Sequence, residues 1–170
     1  MFERFTDRAR KIIDLASAEA AQRGDDLVDT VDILVGMLRE GNGIAGHVLA
    51  HDSVDVDLVL GTRDSVCADP DASLADVDSR SLIEAARLNH GYVGTEHLLL
   101  ALCCLNKSRG ARLLAGLGKP PVQICSFALD ILGRTDEWER WLVDHPEVAH
   151  GHGHGTTAMR SYFCDEEAGQ

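Results

Sequence analysis

Aromatic residues and long apolar runs are scarce in this 170-residue sequence. Only 5% of the residues are aromatic although 45% are hydrophobic, so Ala, Leu, Ile and Val must form the core, which suits closely packed helices. The longest apolar run, Leu98 to Leu105, is too short to cross a bilayer, and charged residues rather than a signal peptide follow Met1. We therefore expect a cytoplasmic protein with no membrane partner.

Positive charge is also scarce, because 16 Lys and Arg stand against 28 Asp and Glu, for a formal net charge of −12. A nucleic-acid partner is therefore not expected, since phosphates would be repelled. The five cysteines include no C-x-x-C pair, which argues against a redox or zinc motif. Cys103 and Cys104 lie in the apolar run and are predicted to be small core residues in a reducing compartment.

Catalytic and nucleotide-binding motifs are missing as well. Gly116-Leu117-Gly118-Lys119 is followed by Pro120, so the sequence contains no G-x-x-x-x-G-K-[ST] loop, and ATP binding is not expected. Ser, His and Asp are scattered without a nucleophile motif. The sequence therefore predicts a protein that is not an enzyme and needs no cofactor.

What the sequence does contain is an internal duplication. Thr30 and Thr95 lie 65 positions apart, and the same offset aligns their surroundings. The aligned segments are Glu19-Ala20-Ala21 with Glu84-Ala85-Ala86, Ile33-Leu34 with Leu98-Leu99, and Val48-Leu49 with Leu113-Leu114. A repeat this long that occurs twice predicts two copies of one helical unit packed together.

Capping residues and helical periodicity predict four helices in each copy. The predicted fold is all-α, with two pseudo-symmetric four-helix repeats in one domain, a short C-terminal helix and a flexible tail. The predicted helix starts are Thr6, Thr30, Ile44, Ser53, Ser73, Thr95, Ser108 and Pro120-Pro121. The predicted boundaries are 1–61 for the first repeat, 62–72 for a solvated linker, 73–133 for the second repeat, 134–146 for the extra helix and 147–170 for the tail.

Two motifs resemble the N-terminal domain of the Clp unfoldases, with the ClpC type the nearest match. They are the opening Met1-Phe2-Glu3-Arg4-Phe5-Thr6-Asp7-Arg8-Ala9-Arg10-Lys11 and the later Gly94-Thr95-Glu96-His97-Leu98-Leu99-Leu100. The resemblance covers about residues 1–133 and implies a stand-alone recognition domain without the family's ATPase modules.

The resemblance also implies a ligand site. In ClpC-type domains the Glu of each Gly-Thr-Glu-His motif helps to hold a phosphorylated arginine that marks proteins for degradation. A helix N-terminus suits the phosphate, and a carboxylate suits the guanidinium. The second copy keeps Thr95 and Glu96, whereas the first copy has Thr30, Val31 and Asp32. We therefore expect phosphoarginine-type binding by the second copy and a weakened first copy.

For Thr95 and Glu96, an ordinary N-cap with an acidic first turn remains the structural alternative. The resemblance further implies a peptide-binding surface built from aromatic residues at the two repeat starts. Phe2 is the candidate here, although Pro70 replaces the aromatic residue of the second copy. Phe2 packing on the first helix is the alternative.

The predicted function is a non-catalytic protein-binding module that acts as an adaptor or a decoy in ATP-dependent Clp proteolysis. One alternative is an accessory subunit that docks on a Clp protease or unfoldase, so the partners in both cases are proteins. Another is a metal-binding protein that uses the three histidines of the tail, His150, His152 and His154, which alternate with glycine. A solvated tail without metal is the simpler interpretation of those histidines.

Overall fold

The computed structural model of the chain describes residues 3–66 and 73–133. These residues form eight α-helices, and an additional short 3-10 helix at Arg63–Ser65 follows the fourth of them. The helices are α1 Asp7–Gln22, α2 Thr30–Glu40, α3 Ile44–His51, α4 Val56–Thr62, α5 Leu74–Arg87, α6 Thr95–Cys104, α7 Arg109–Gly116 and α8 Pro121–Ile131. The predicted all-α fold of two four-helix units is confirmed, and we call α1–α4 repeat 1 and α5–α8 repeat 2.

Three of the residues predicted to start helices are N-caps in the structure. The hydroxyls of Thr6, Ser73 and Ser108 each accept a hydrogen bond from the backbone N–H three residues later, at 3.2, 3.4 and 3.2 Å. These bonds satisfy N–H groups that have no partner inside the helix. At the other end of α2, Gly41 adopts a left-handed conformation with φ of 68°, which suits glycine and ends the helix.

The core lies around α2 and α6. All ten residues of α6 are buried, as are nine of the eleven residues of α2. α1 packs on α2 and α5 packs on α6, while α2 also touches α7 and α6 also touches α3. The two repeats therefore share one core rather than forming two separate ones. Cys103, Cys104 and Cys125 are buried in it, and the predicted core role of the first two is confirmed.

A short backbone contact fastens the start of repeat 1 to repeat 2. Phe5 and Val93 form an isolated parallel bridge, and Phe5 is only 3% exposed. The Thr6 N–H donates to the Val93 carbonyl at 2.9 Å, and the Val93 N–H donates to the Arg4 carbonyl at 2.9 Å. The loop before α6 is therefore held by both repeats.

Two predictions about the chain after α3 differ from the structure. Asp55, not Ser53, caps α4, because its carboxylate accepts the Leu58 N–H at 2.8 Å. The segment predicted as a solvated linker from residue 62 begins instead with the last residue of α4 and the 3-10 helix, where Arg63 is buried. The predicted helix at 134–146 and the tail at 147–170 lie outside the described residues.

Candidate functional site: the starts of α2 and α6

The starts of α2 and α6 are the repeat-related positions on which the sequence placed a ligand site. The prediction that Thr30 and Thr95 cap their own helices was wrong by one residue. Asp29 is the N-cap of α2, and its carboxylate accepts the Val31 and Asp32 N–H groups at 2.7 and 3.1 Å. Gly94 is the N-cap of α6 and offers no side chain.

Each threonine instead serves a helix of the other repeat. The Thr30 hydroxyl accepts the Gly110 N–H at the start of α7 at 2.8 Å, and the Thr95 hydroxyl accepts the Ala45 N–H at the start of α3 at 3.3 Å. Thr30 is 1% exposed and Thr95 is 3% exposed. Both predicted binding residues are therefore buried in the contact between the repeats, where their hydroxyls already have partners.

Glu96 lies one residue further into α6 and is also buried, with 5% exposure. Its carboxylate folds back over Gly94, because a Cβ on Gly94 would lie only 2.5 Å from both carboxylate oxygens. Among the described residues, no side chain donates a hydrogen bond to this carboxylate. The backbone N–H of Glu96 itself donates to it and stabilises the ionised form. Burial therefore raises the pKa of Glu96, and neither that N–H nor nearby His90 reverses the shift.

His97 completes the first turn of α6 and is fully buried. Its Nδ1 accepts the Gly94 N–H at 2.8 Å, so the proton of the neutral ring lies on Nε2 and is donated to His90 Nδ1, 2.9 Å away. Burial, reinforced by His90, lowers the pKa of His97 to about 4. The ring is therefore neutral at pH 7, and its 3.4 Å approach to Glu96 is not an ion pair.

The side chains of His90, Glu96 and His97 place ligand atoms within 4.8 Å of one another, a spacing that a metal ion could use. The hydrogen bonds argue against that use. One nitrogen of His97 accepts the Gly94 N–H and the other carries the proton, so the neutral ring has no lone pair left for a metal. The cluster is better described as a hydrogen-bonded support for the start of α6.

The start of α2 in repeat 1 has a different composition. Val31, in the position of Glu96, is fully buried, and Asp32, in the position of His97, is fully buried as well. Asp32 accepts the Asp29 N–H at 2.9 Å and pairs with two arginines, Arg63 at 2.5 Å and Arg23 at 2.8 Å. Asp32 therefore points away from solvent into ion pairs of the chain itself.

Asp29 is the second acid of this cluster. Its two oxygens contact Arg109 Nη1 at 2.6 Å and Arg63 Nη2 at 3.3 Å. Burial would raise the pKa of Asp29, but the backbone N–H bonds and the two guanidinium charges together hold it below its ordinary value. For Asp32 burial prevails, and its pKa is raised in spite of Arg63. We call Asp29, Asp32, Arg63 and Arg109 the repeat 1 cluster.

The starts of α2 and α6 both have a carboxylate, but different positions of the repeat supply it. The Glu96 carboxylate occupies the space that a side chain on residue 94 would take, and in repeat 1 the equivalent residue is Asp29. Both starts therefore carry a carboxylate, supplied by different positions of the repeat. The arginines have no counterpart, because Ile44 stands at the position equivalent to Arg109 and Ala128 at that equivalent to Arg63. Among residues 3–66 and 73–133, the start of α6 therefore has the acid without an arginine or lysine bound to it.

Sequence reasoning missed Asp29, Arg63, Arg109 and His90. A position-by-position comparison of the halves reveals the first, since Asp-x-Val in repeat 1 stands against Gly-x-Glu in repeat 2. The arginines carry no such signal, because Arg109 lies 80 positions from Asp29. Two other predicted sites, Phe2 and the group His150, His152 and His154, lie outside the described residues.

These features define an all-α module in which the described residues offer no arginine or lysine partner to Glu96, a buried carboxylate at a helix start. The chain belongs to the Clp repeat (R) N-terminal domain family, whose model matches residues 4–117. The resemblance drawn from the two sequence motifs is therefore confirmed.

Curated relatives and a solved structure agree with this assignment. The chain is 38% identical over 149 residues to the chloroplastic chaperone protein ClpC2 of Oryza sativa subsp. japonica, covering 81% of this chain and 16% of the relative. It is also 38% identical over 149 residues to a ClpA homolog, an ATP-binding subunit of the ATP-dependent Clp protease, from Guillardia theta, covering 81% of this chain and 18% of that protein. The chain thus spans less than a fifth of these two relatives.

The N-terminal domain of the chaperone ClpD from Arabidopsis thaliana has the same fold, with a TM-score of 0.65 at 23% identity. That match covers 78% of this chain and 97% of the ClpD domain. Within the described ranges, no helix combines the length and apolar character that crossing a membrane requires.

Proposed function

We propose that this chain is a non-catalytic protein-binding module that acts as an adaptor or decoy in ATP-dependent Clp proteolysis. Repeat 2 binds an arginine-bearing, phosphoarginine-marked segment, and Glu96 receives the guanidinium. Thr30, Thr95 and Asp32 support the fold instead of touching the ligand. Membership of the Clp N-terminal domain family supports the general role.

The state of Glu96 is the observation that carries the specific role. Glu96 is 5% exposed and has no arginine or lysine partner among the described residues. Burial raises its pKa, so the ionised carboxylate costs stability. A guanidinium would donate two hydrogen bonds to it and remove that cost. The N-terminus of α6 lies beside it and favours a phosphate on the same ligand.

Repeat 1 supports the choice of guanidinium over other cations. The carboxylate at its equivalent helix start is bound by guanidinium groups, Arg109 at 2.6 Å and Arg63 at 3.3 Å from Asp29. At the start of α6 the Glu96 carboxylate, beside Gly94, takes the place that Asp29 has at the start of α2. A cation that binds the start of α2 should therefore also bind the start of α6.

Calorimetric titration of the chain with free phosphoarginine tests this proposal, with free arginine run beside it. We expect saturable binding near one equivalent that is lost in Glu96→Gln, because the amide keeps the shape and removes the charge. Asp57→Asn is the matched control, since Asp57 is also an acid in the first turn of a helix but is exposed. An unchanged affinity in Glu96→Gln would remove Glu96 from the site.

A second candidate function is docking on a Clp component as an accessory subunit. Leu27 and Tyr92 favour it, because they occupy equivalent positions in the two repeats and are 82% and 46% exposed. Pull-down of Clp components with and without phosphoarginine separates the two functions. Docking through these side chains should ignore the competitor and weaken in the Leu27→Ser, Tyr92→Ser double variant.

A further inference from the structure

Arg109 is bound at the start of α2 in the way that a ligand would be bound. It belongs to α7 of repeat 2, yet all three of its guanidinium nitrogens donate to residues of repeat 1 or of the short segment that follows α4. Nη1 donates to the Asp29 carboxylate at 2.6 Å, Nε to the Val66 carbonyl at 3.3 Å and Nη2 to the Arg63 carbonyl at 3.0 Å. Its side chain is 16% exposed, so the guanidinium lies at the edge of the repeat 1 cluster.

Arg63 is more deeply buried than Arg109 and has a different role in the repeat 1 cluster. It is 5% exposed, it donates to Asp32 and Asp29, and its Nε and Nη1 are buried without a hydrogen-bond partner. Removing Arg63 would leave Asp32 buried and short of a counter-charge, so Arg63 is part of the framework. Removing Arg109 would instead expose one oxygen of Asp29 and two carbonyls at the surface.

We propose that repeat 1 contains a guanidinium-binding site that the chain closes with its own Arg109. The acceptors of this site are the Asp29 carboxylate and the Val66 and Arg63 carbonyls, arranged as a fork for a planar cation. Arg109 is held to the same chain and competes at high effective concentration with any external guanidinium. If Arg109 fills the site in repeat 1, the chain binds one external ligand, at Glu96, and this number rests on the proposed function. The binding of Arg109 in repeat 1 does not rest on it.

Chemical rescue of the full chain tests the closure. The parent carries Glu96→Gln, which silences repeat 2, and the test variant adds Arg109→Ala. Thermal unfolding is followed while methylguanidinium is added at millimolar concentrations. We expect a saturable rise in Tm in the Arg109→Ala variant and none in the parent, because only the variant has an empty fork.

Two controls sharpen this experiment. Arg112→Ala in the same parent removes an exposed arginine of the same helix, whose Nε donates to the Lys107 carbonyl, and should create no response. Methylammonium has the charge without the planar fork and should stabilise the variant less. Equal responses of Arg109→Ala and Arg112→Ala, or of the two cations, would overturn the proposal.

A second measurement needs no variant and covers the case in which Arg109→Ala fails to fold. In the side-chain nitrogen NMR spectrum of the unaltered chain, a guanidinium bound through three nitrogens rotates slowly and gives separate Nη signals. We expect such signals for Arg109 and averaged signals for Arg8, an exposed arginine that contacts the Glu40 carboxylate through Nη1 at 3.5 Å. Averaged signals for Arg109 would show that it does not occupy the fork. Because neither measurement involves a Glu96 ligand, failure of binding at repeat 2 leaves this result unaffected.

Discussion

Thr30 and Thr95 are equivalent residues of the two repeats, and each accepts a backbone N–H at the start of a helix of the other repeat. Thr30 accepts the Gly110 N–H of α7 at 2.8 Å, and Thr95 accepts the Ala45 N–H of α3 at 3.3 Å. The first residue of one helix thus accepts a backbone N–H that has no partner within another helix. The reciprocal pair ties the repeats together next to the carboxylates that define the candidate site.

Replacing these threonines with valine should destabilise the chain by about 1 kcal/mol each, because a helix start loses its hydroxyl acceptor while the side-chain shape is kept. We expect the larger loss for Thr30→Val, since its bond is shorter. Urea unfolding measures both, with Thr30→Ser and Thr95→Ser as controls that keep the hydroxyl. Equal stability of the valine and serine variants would contradict the capping role.

Gly94→Ala should move the Glu96 carboxylate, since the added Cβ would lie 2.5 Å from both of its oxygens. We expect weaker binding of phosphoarginine with little change in the helix itself, measured by calorimetry and circular dichroism. Gly91→Ala is the matched control, because a Cβ there meets nothing within 4 Å. Unchanged binding in Gly94→Ala would show that the position of the carboxylate is unimportant.

Glu96→Gln should stabilise the chain at pH 7 in the absence of ligand. Burial raises the pKa of Glu96, so the folded state holds its proton more tightly than the unfolded state. The ionised carboxylate therefore costs stability once the pH exceeds the ordinary pKa of a glutamate. In urea unfolding from pH 4 to pH 8, the free energy of unfolding of the Gln variant should rise relative to that of the unaltered chain as the pH increases. Parallel curves would mean that the carboxylate is not strained by burial.

His97 should make stability fall as the solution is acidified from about pH 6.5, the ordinary pKa of histidine, toward the folded pKa of about 4. Between these two pH values the histidine is protonated in the unfolded state, whereas the buried ring of the folded state remains neutral. The lost stability amounts to about 3 kcal/mol, from 1.36 kcal/mol for each pKa unit. His97→Gln can still accept the Gly94 N–H, so the difference between the two unfolding curves isolates this titration. A difference independent of pH would argue against a buried neutral ring.

Arg63→Met should destabilise the chain by about 3–5 kcal/mol, because it leaves the fully buried Asp32 with only Arg23 as a counter-charge. Arg10→Met is the control: its pair with Asp7 spans 3.8 Å between two exposed side chains and should contribute less than about 1 kcal/mol. Denaturant unfolding at pH 7 compares them. Similar losses for the two variants would show that the repeat 1 cluster is not a buried ion-pair network.

The threonine prediction failed for a specific physical reason. Thr is a good N-cap, but so are Asp and, more weakly, Gly, and one of these precedes each threonine. A local sequence pattern cannot show which of two neighbouring residues is the N-cap. It also cannot show that the threonine hydroxyl binds another helix, because that contact depends on packing. Thr6, Ser73 and Ser108 were predicted well because their partners lie three residues away in the same helix.

The sequence by itself determined the all-α fold, the duplication and the family, because these depend on periodicity, local capping and motifs that recur at an offset of 65. It also identified the difference between Glu96 and Val31. Only the tertiary structure decided that the Glu96 carboxylate lies in the space of a side chain on residue 94, the equivalent of Asp29, and that Arg109 binds the Asp29 carboxylate. The physical reason is that the ion pair joins residues 80 positions apart, which α2 and α7 bring together only when the shared core forms.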